Sequence, residues 1–150
     1  MKKILYLDMD NVLVDFPSAF EHLDDDLKEK YKDNMDDIPN IFSKMKPLVG
    51  AIEAYEVLSK QFDTYILSTA PWNNPTAWSD KLLWVQKYLG EYAYKRLIIS
   101  HNKHLNRGDF LIDDRLKNGV DKFQGEHIYF GQGEFQTWDD VLEYLTSKQG

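Results

Sequence analysis

The chain has 150 residues, 43% hydrophobic and 14% aromatic, which suits one folded domain with at most a modest insertion and excludes a disordered segment. Its 25 acidic against 18 basic side chains leave a net charge of −7, which argues against a nucleic-acid polymer as partner, since that needs a basic footprint. Cysteine is absent, which removes disulfides, thiolate chemistry and cysteine-type zinc sites and is compatible with a reducing cytoplasm.

Lys2 and Lys3 precede an apolar run that stops at Asp8, too short for a signal peptide. No stretch approaches the roughly 20 apolar residues of a membrane span. A cytoplasmic location with no membrane partner is therefore expected. Ile4-Leu5-Tyr6-Leu7 reads as a strand buried on both faces. Two carboxylates, Asp8 and Asp10, close it at the edge where open α/β sheets bind ligands. Packed there they repel each other and ask for a positive partner, most simply a divalent metal.

Residues 17–34 are polar and acidic, with Phe16, Phe20, Leu23, Leu27 and Tyr31 at helical spacing, and predict one amphipathic helix. Pro39 and Pro47 punctuate a turn-rich stretch after it. Gly50 to Lys60 predicts a helix that offers Ile52, Tyr55, Val57 and Leu58 to a sheet, and Thr64 to Leu67 a second strand ending at Ser68-Thr69. Ala70 to Ala77 holds Pro71 and Pro75 and reads as a loop, followed by a helix over Trp78 to Leu89 with Gly90 as its C-cap. Strands are expected at 96–100, at 110–112 running into Asp113-Asp114, and at 128–130. Thr137, with Asp140 three residues on, opens a last helix in a capping-box pattern.

Alternating strands and helices imply an α/β fold with a mostly parallel, five-stranded sheet and helices on both faces. In that arrangement Asp8, Asp10, Ser68, Lys103, Asp113 and Asp114 gather along one sheet edge. Each alone has an ordinary reading: a solvated corner, a strand-end hydroxyl, a surface lysine, a helix cap. Together they supply what phosphoryl transfer needs, namely a nucleophile, acids for a metal, and donors for the phosphate oxygens.

The runs 8–16 (Asp-Met-Asp-Asn-Val-Leu-Val-Asp-Phe), 67–71 (Leu-Ser-Thr-Ala-Pro), Lys103 and 111–115 (Leu-Ile-Asp-Asp-Arg) resemble the four signature motifs of the haloacid dehalogenase (HAD) superfamily. Within it the chain is similar to the 5'(3')-deoxyribonucleotidases, cytosolic type C. Asn11 stands where that family usually has glycine, and the stretch between Phe16 and Pro39 is shorter than in the animal enzymes. The resemblance implies a Rossmann-like HAD core over 1–15 and 48–150, with a small helical cap, 16–47, inserted after strand one.

It further implies a Mg²⁺-dependent phosphatase acting on a small phosphate monoester, a deoxynucleoside monophosphate by preference, and it allows a homodimer. Asp8 would attack phosphorus and form an aspartyl-phosphate, while Asp10 would protonate the leaving oxygen and then activate water. Mg²⁺ would be held by Asp8, the Asp10 carbonyl and Asp114, with Asp113 behind them orienting Lys103. Ser68, the amides of Thr69 and Asp10, and Lys103 would bind phosphate, and Phe16, with Trp72 as a second candidate, would meet the base or sugar. Lys81 is expected on a surface stem among Leu82, Leu83 and Val85, and Ile41, Phe42 and Met45 are expected to close the cap. Two other readings stay open: a phosphatase for another small phosphate such as a sugar phosphate, and, more remotely, a non-catalytic phospho-acceptor or binding domain.

Overall fold

The structure, a computed structural model, describes residues 1–149. Its centre is a five-stranded sheet of β1 (Ile4–Leu7), β4 (Asp63–Ser68), β5 (Leu97–Ile99), β6 (Phe110–Asp113) and β7 (Glu126–Tyr129), in the order β5-β4-β1-β6-β7. All four pairings are parallel. β1 sits in the middle, so the residues that follow it lie between those that follow β4 and β6. A separate two-stranded antiparallel ribbon, β2 (Val14–Asp15) and β3 (Lys46–Pro47), joins the two ends of the segment between them.

Alternation along the strands divides the core. Leu5, Leu7, Ile66, Phe110 and Ile112 face a large apolar cluster shared with α2 (Ala51–Gln61), α3 (Pro75–Tyr88) and α4 (Trp138–Thr146). The opposite face is thinner: Tyr6, Leu67 and Leu111 pack with Val120 and Phe123, around a short 3-10 turn at Val120–Lys122. Burying about 0.8 kcal/mol per CH₂ explains why both faces of β1 are apolar.

The expected single helix over 17–34 is instead two pieces, a 3-10 helix at Phe16–His22 and α1 (Asp25–Lys30), with the chain extended at Leu23. Asp24 explains the break: its carboxylate accepts from Leu27 N (2.8 Å) and caps a fresh helix start. The loop expected through Ala77 ends sooner, because Pro75 opens α3 at the position where its missing N–H costs nothing. In α2, Tyr55 and Leu58 face the core as expected, but Val57 is exposed and Ala51 and Ala54 take the inner positions. The capping box at Thr137 and Asp140 forms as its spacing predicts. Trp138 Nε1 donates to the Val12 carbonyl (2.8 Å), tying α4 to the turn beyond β1.

Candidate active site

β1 delivers Asp8, and a tight turn follows in which the N–H groups of Val12, Leu13 and Val14 all point at the Met9 carbonyl (3.1, 2.8 and 2.9 Å). Asn11 takes a left-handed backbone (φ 63°) to make that turn, a conformation asparagine adopts more readily than most side chains. The turn places Asp10 beside Asp8. β4 brings Ser68 alongside, β6 brings Asp113 and Asp114, and the loop after β5 brings Lys103.

Lys103 is buried and bridges two acids, Asp8 Oδ1 at 3.0 Å and Asp113 Oδ2 at 2.6 Å. Burial alone would lower its pKa, but the two facing carboxylates outweigh that and raise it, so Lys103 is held as a cation. Asp113 is internally satisfied, because its other oxygen accepts from Arg115 N at 3.0 Å. Asp114 Oδ1, by contrast, is buried with no hydrogen-bond partner. Burial and the neighbouring Asp8 raise Asp113 to about 6 and Asp114 to about 7.

One oxygen from each of Asp8, Asp113 and Asp114 lies within 4.8 Å of the others. A set made only of carboxylate oxygens suits a hard divalent cation, and the unpartnered Asp114 oxygen is the group such an ion would satisfy. The cluster therefore fits a metal ion.

The largest correction concerns Lys81. It is fully buried rather than on a surface stem, and its ammonium donates to Ser68 Oγ at 2.9 Å and to Asp10 Oδ2 at 3.2 Å. The ring of Phe42 covers it at 4.4 Å. Its sequence neighbours Leu82 and Leu83 are exposed, and the inner face of the helix is Ala77, Asp80, Lys81, Trp84 and Val85. The second acid of the Asp8–Asp10 pair was the available signal, since two adjacent carboxylates call for a second cation as well as Lys103. Burial raises the Asp10 pKa, as does Asp8, while Lys81 pulls it back.

A cavity of about 460 Å³ opens beside Asp10, lined also by Phe16, Asn34, Met35, Asp36 and Arg115. Phe16 thus lies on the cavity while its ring packs edge-on against Phe20 and Phe42. Ile41, Phe42 and Met45 are buried in the core, and of the three Phe42 also lies over Lys81. Trp72 is 79% exposed and, with Trp78, flanks His101 rather than lining this cavity. Thr69 Oγ1 donates to the Ser100 carbonyl (2.7 Å), fixing the loop that carries its amide.

Comparison with known proteins places this geometry in a family. Residues 34–143 match the model of "5' nucleotidase, deoxy (Pyrimidine), cytosolic type C protein". A Vibrio phage KVP40 protein named "Putative 5'(3')-deoxyribonucleotidase" is 59% identical over 147 residues, covering 98% of this chain and 86% of that protein. The Bacillus subtilis 5'(3')-deoxyribonucleotidase is 28% identical over 149 residues, covering 87% of this chain and 86% of its own. Among solved structures, a magnesium-bound HAD-type structure from Bacillus subtilis superposes with a TM-score of 0.69 at 14% identity, covering 96% of this chain and 98% of its own, a likeness of fold.

Proposed function

The chain belongs to the 5' nucleotidase, deoxy (pyrimidine), cytosolic type C family, and from this membership we propose that it hydrolyses deoxynucleoside monophosphates to nucleoside and phosphate at Asp8 and Asp10. The observation that carries the reading is the pair of buried lysines, Lys81 and Lys103, each bonded to one acid of the Asp8–Asp10 pair. A merely structural carboxylate pair would not need two fully desolvated cations aimed at it.

Asp8 is the nucleophile: its carboxylate oxygen bonds to phosphorus as the ester oxygen leaves, giving an aspartyl-phosphate. Lys103 holds Asp8 in place and neutralises the charge that its phosphate ester brings. Asp10, its pKa raised by burial, gives its proton to the leaving nucleoside oxygen. It then takes one back from the water that cleaves the aspartyl-phosphate. Ser68 Oγ accepts from Lys81, which leaves its own O–H free to donate to a phosphate oxygen beside the amides of Thr69 and Asp10.

Mg²⁺ would be held by Asp8, the Asp10 carbonyl and Asp114, with Asp113 bound to Lys103 behind them. When bound, the ion offsets the acids and draws charge from the transferring phosphoryl group. Residues 16–47 serve as a cap on a core of 1–15 and 48–150, with the β2–β3 ribbon as its stem. Phe16 gives the leaving nucleoside an apolar surface. Among the described residues no helix is long and apolar enough to cross a membrane, and the substrate is a small molecule.

The test is phosphate release with Mg²⁺ from dUMP, dTMP, the matching ribonucleotides and several sugar phosphates, with Asp8→Asn as control. Release from the deoxynucleotides ahead of the others is expected. Release from sugar phosphates alone would keep the chemistry and overturn the substrate.

A further inference from the structure

The segment that walls the cavity at Asn34, Met35 and Asp36 has almost no regular structure of its own: it runs through 3-10 turns at Met35–Asp37 and Ile41–Lys44. What holds it is a side chain from the other half of the molecule. Asn74 is 2% exposed and sits just ahead of α3, in the loop that begins at Ser68. Its amide Nδ2 donates to the carbonyls of Asp36 (2.9 Å) and Ile38 (3.0 Å). Its Oδ1 accepts from Thr76 Oγ1 (2.7 Å), and that same hydroxyl accepts from Asn40 N (2.9 Å). Every polar atom of the Asn74 side chain is therefore used, and three of the four bonds in this network end on or begin from the backbone of 36–40.

We propose that Asn74, backed by Thr76, is a positioning residue that sets the leaving-group side of the cavity relative to the phosphate side. One end of its loop carries Ser68 and Thr69, the groups that face phosphate. The other end grips the wall that a nucleoside leaving group meets. Only an amide makes this set of bonds at that spot: two donors for two carbonyls, and one acceptor for a hydroxyl. Aspartate has the same shape but no donors, and places a charge against two carbonyl oxygens. The latch touches neither phosphate nor metal groups, so it acts on recognition of the nucleoside and leaves phosphoryl chemistry alone. This rests on the nucleotidase reading above.

The experiment compares the wild type with Asn74→Ala, Asn74→Asp and Thr76→Ala on two substrates. One is the best deoxynucleoside monophosphate; the other is acetyl phosphate, whose leaving group is too short to reach 34–36. Far-UV circular dichroism and a thermal melt establish which variants are folded, and Thr76→Ala, which removes the hydroxyl bonded to Asn74 Oδ1 and Asn40 N but leaves the Asn74 amide in place, serves if the Asn74 variants fail. The expected result is a KM for the nucleotide raised about five- to tenfold in the Asn74 variants, as for one or two lost neutral hydrogen bonds, with kcat/KM for acetyl phosphate little changed. Asn74→Asp should be no better than Asn74→Ala, despite its matching shape. Equal losses on both substrates, or an unchanged nucleotide KM in folded variants, would overturn the latch while leaving the nucleotidase reading intact. A wild type that cleaves acetyl phosphate but no nucleotide would overturn the reading itself, and the latch with it.

Discussion

Lys81 Nζ lies 3.2 Å from Asp10 Oδ2 and is wholly shielded from solvent, so Asp10, the proposed general acid, has a buried counter-ion of its own. This pairing sets how strongly Asp10 holds its proton. Burial and Asp8 push its pKa up, and Lys81 opposes them.

Replacing Lys81 by methionine keeps the stem packed and removes the cation. The Asp10 carboxylate then loses the group that favours its charged form, so its pKa rises further. A step that needs Asp10 protonated is lost as pH climbs through that pKa. The alkaline limb of the kcat profile should therefore move to higher pH by about 1 unit or more. Measured phosphate release from pH 5 to 10 checks this, and an unmoved limb would remove Lys81 from the control of Asp10.

Lys103→Met removes the only cation bonded to both Asp8 and Asp113 among the described residues. Breaking a buried pair leaves uncompensated charge and typically costs about 3–5 kcal/mol. A large fall in urea midpoint is expected, together with loss of turnover. Adding Asp113→Asn should restore part of the stability but none of the activity.

Asp8→Asn removes the proposed nucleophile and should lower kcat by about 10⁴-fold or more. Because it also removes one charge from a crowded acidic cluster, the variant should be no less stable in the absence of a divalent ion. Turnover and thermal melts on the same preparation separate the two effects.

The three-acid cluster makes stability depend on both pH and metal. Asp113 and Asp114, raised to about 6 and about 7, hold protons in the folded state that the unfolded chain has already released. With chelator present, their contribution to stability is therefore greatest at about pH 4 and is lost as pH rises to about 7. A divalent ion binds the deprotonated acids and reverses this. At a hundredfold excess over its Kd, Mg²⁺ should raise Tm by about 5 °C or more at pH 8 and by much less at pH 5. Asp114→Asn should shrink the increment, and a Tm indifferent to Mg²⁺ would argue against a metal at these residues.

Asn11 holds φ 63° in the turn that places Asp10. Asn11→Gly should leave stability within about 0.5 kcal/mol, whereas Asn11→Val should cost about 1–2 kcal/mol. Urea unfolding of both variants measures it.

The sheet and the acids at its edge were legible in the chain itself. Strand signals come from consecutive residues, and a parallel sheet sends the ends of β1, β4 and β6 to one side whatever the helices do. Asp8, Asp10, Ser68, Asp113 and Asp114 are thus neighbours by topology. Lys103 was legible too, because it follows the next strand in the same sheet.

Tertiary packing decided the rest, in places where local pattern misleads. The phase of α3 cannot be read from Leu82 and Leu83, because a lysine is more costly to bury than a leucine unless partners wait for it. Asp10 and Ser68 are those partners, brought from 71 and 13 residues away along the chain. The segment 31–45 has little helical or strand periodicity to read, and its shape is imposed by Asn74, Thr76 and Trp84, which bond its backbone from outside. The acids and the lysine at the sheet edge follow from local sequence and sheet topology, whereas the wall of the cavity at 34–36 depends on contacts that no nearby residue foretells.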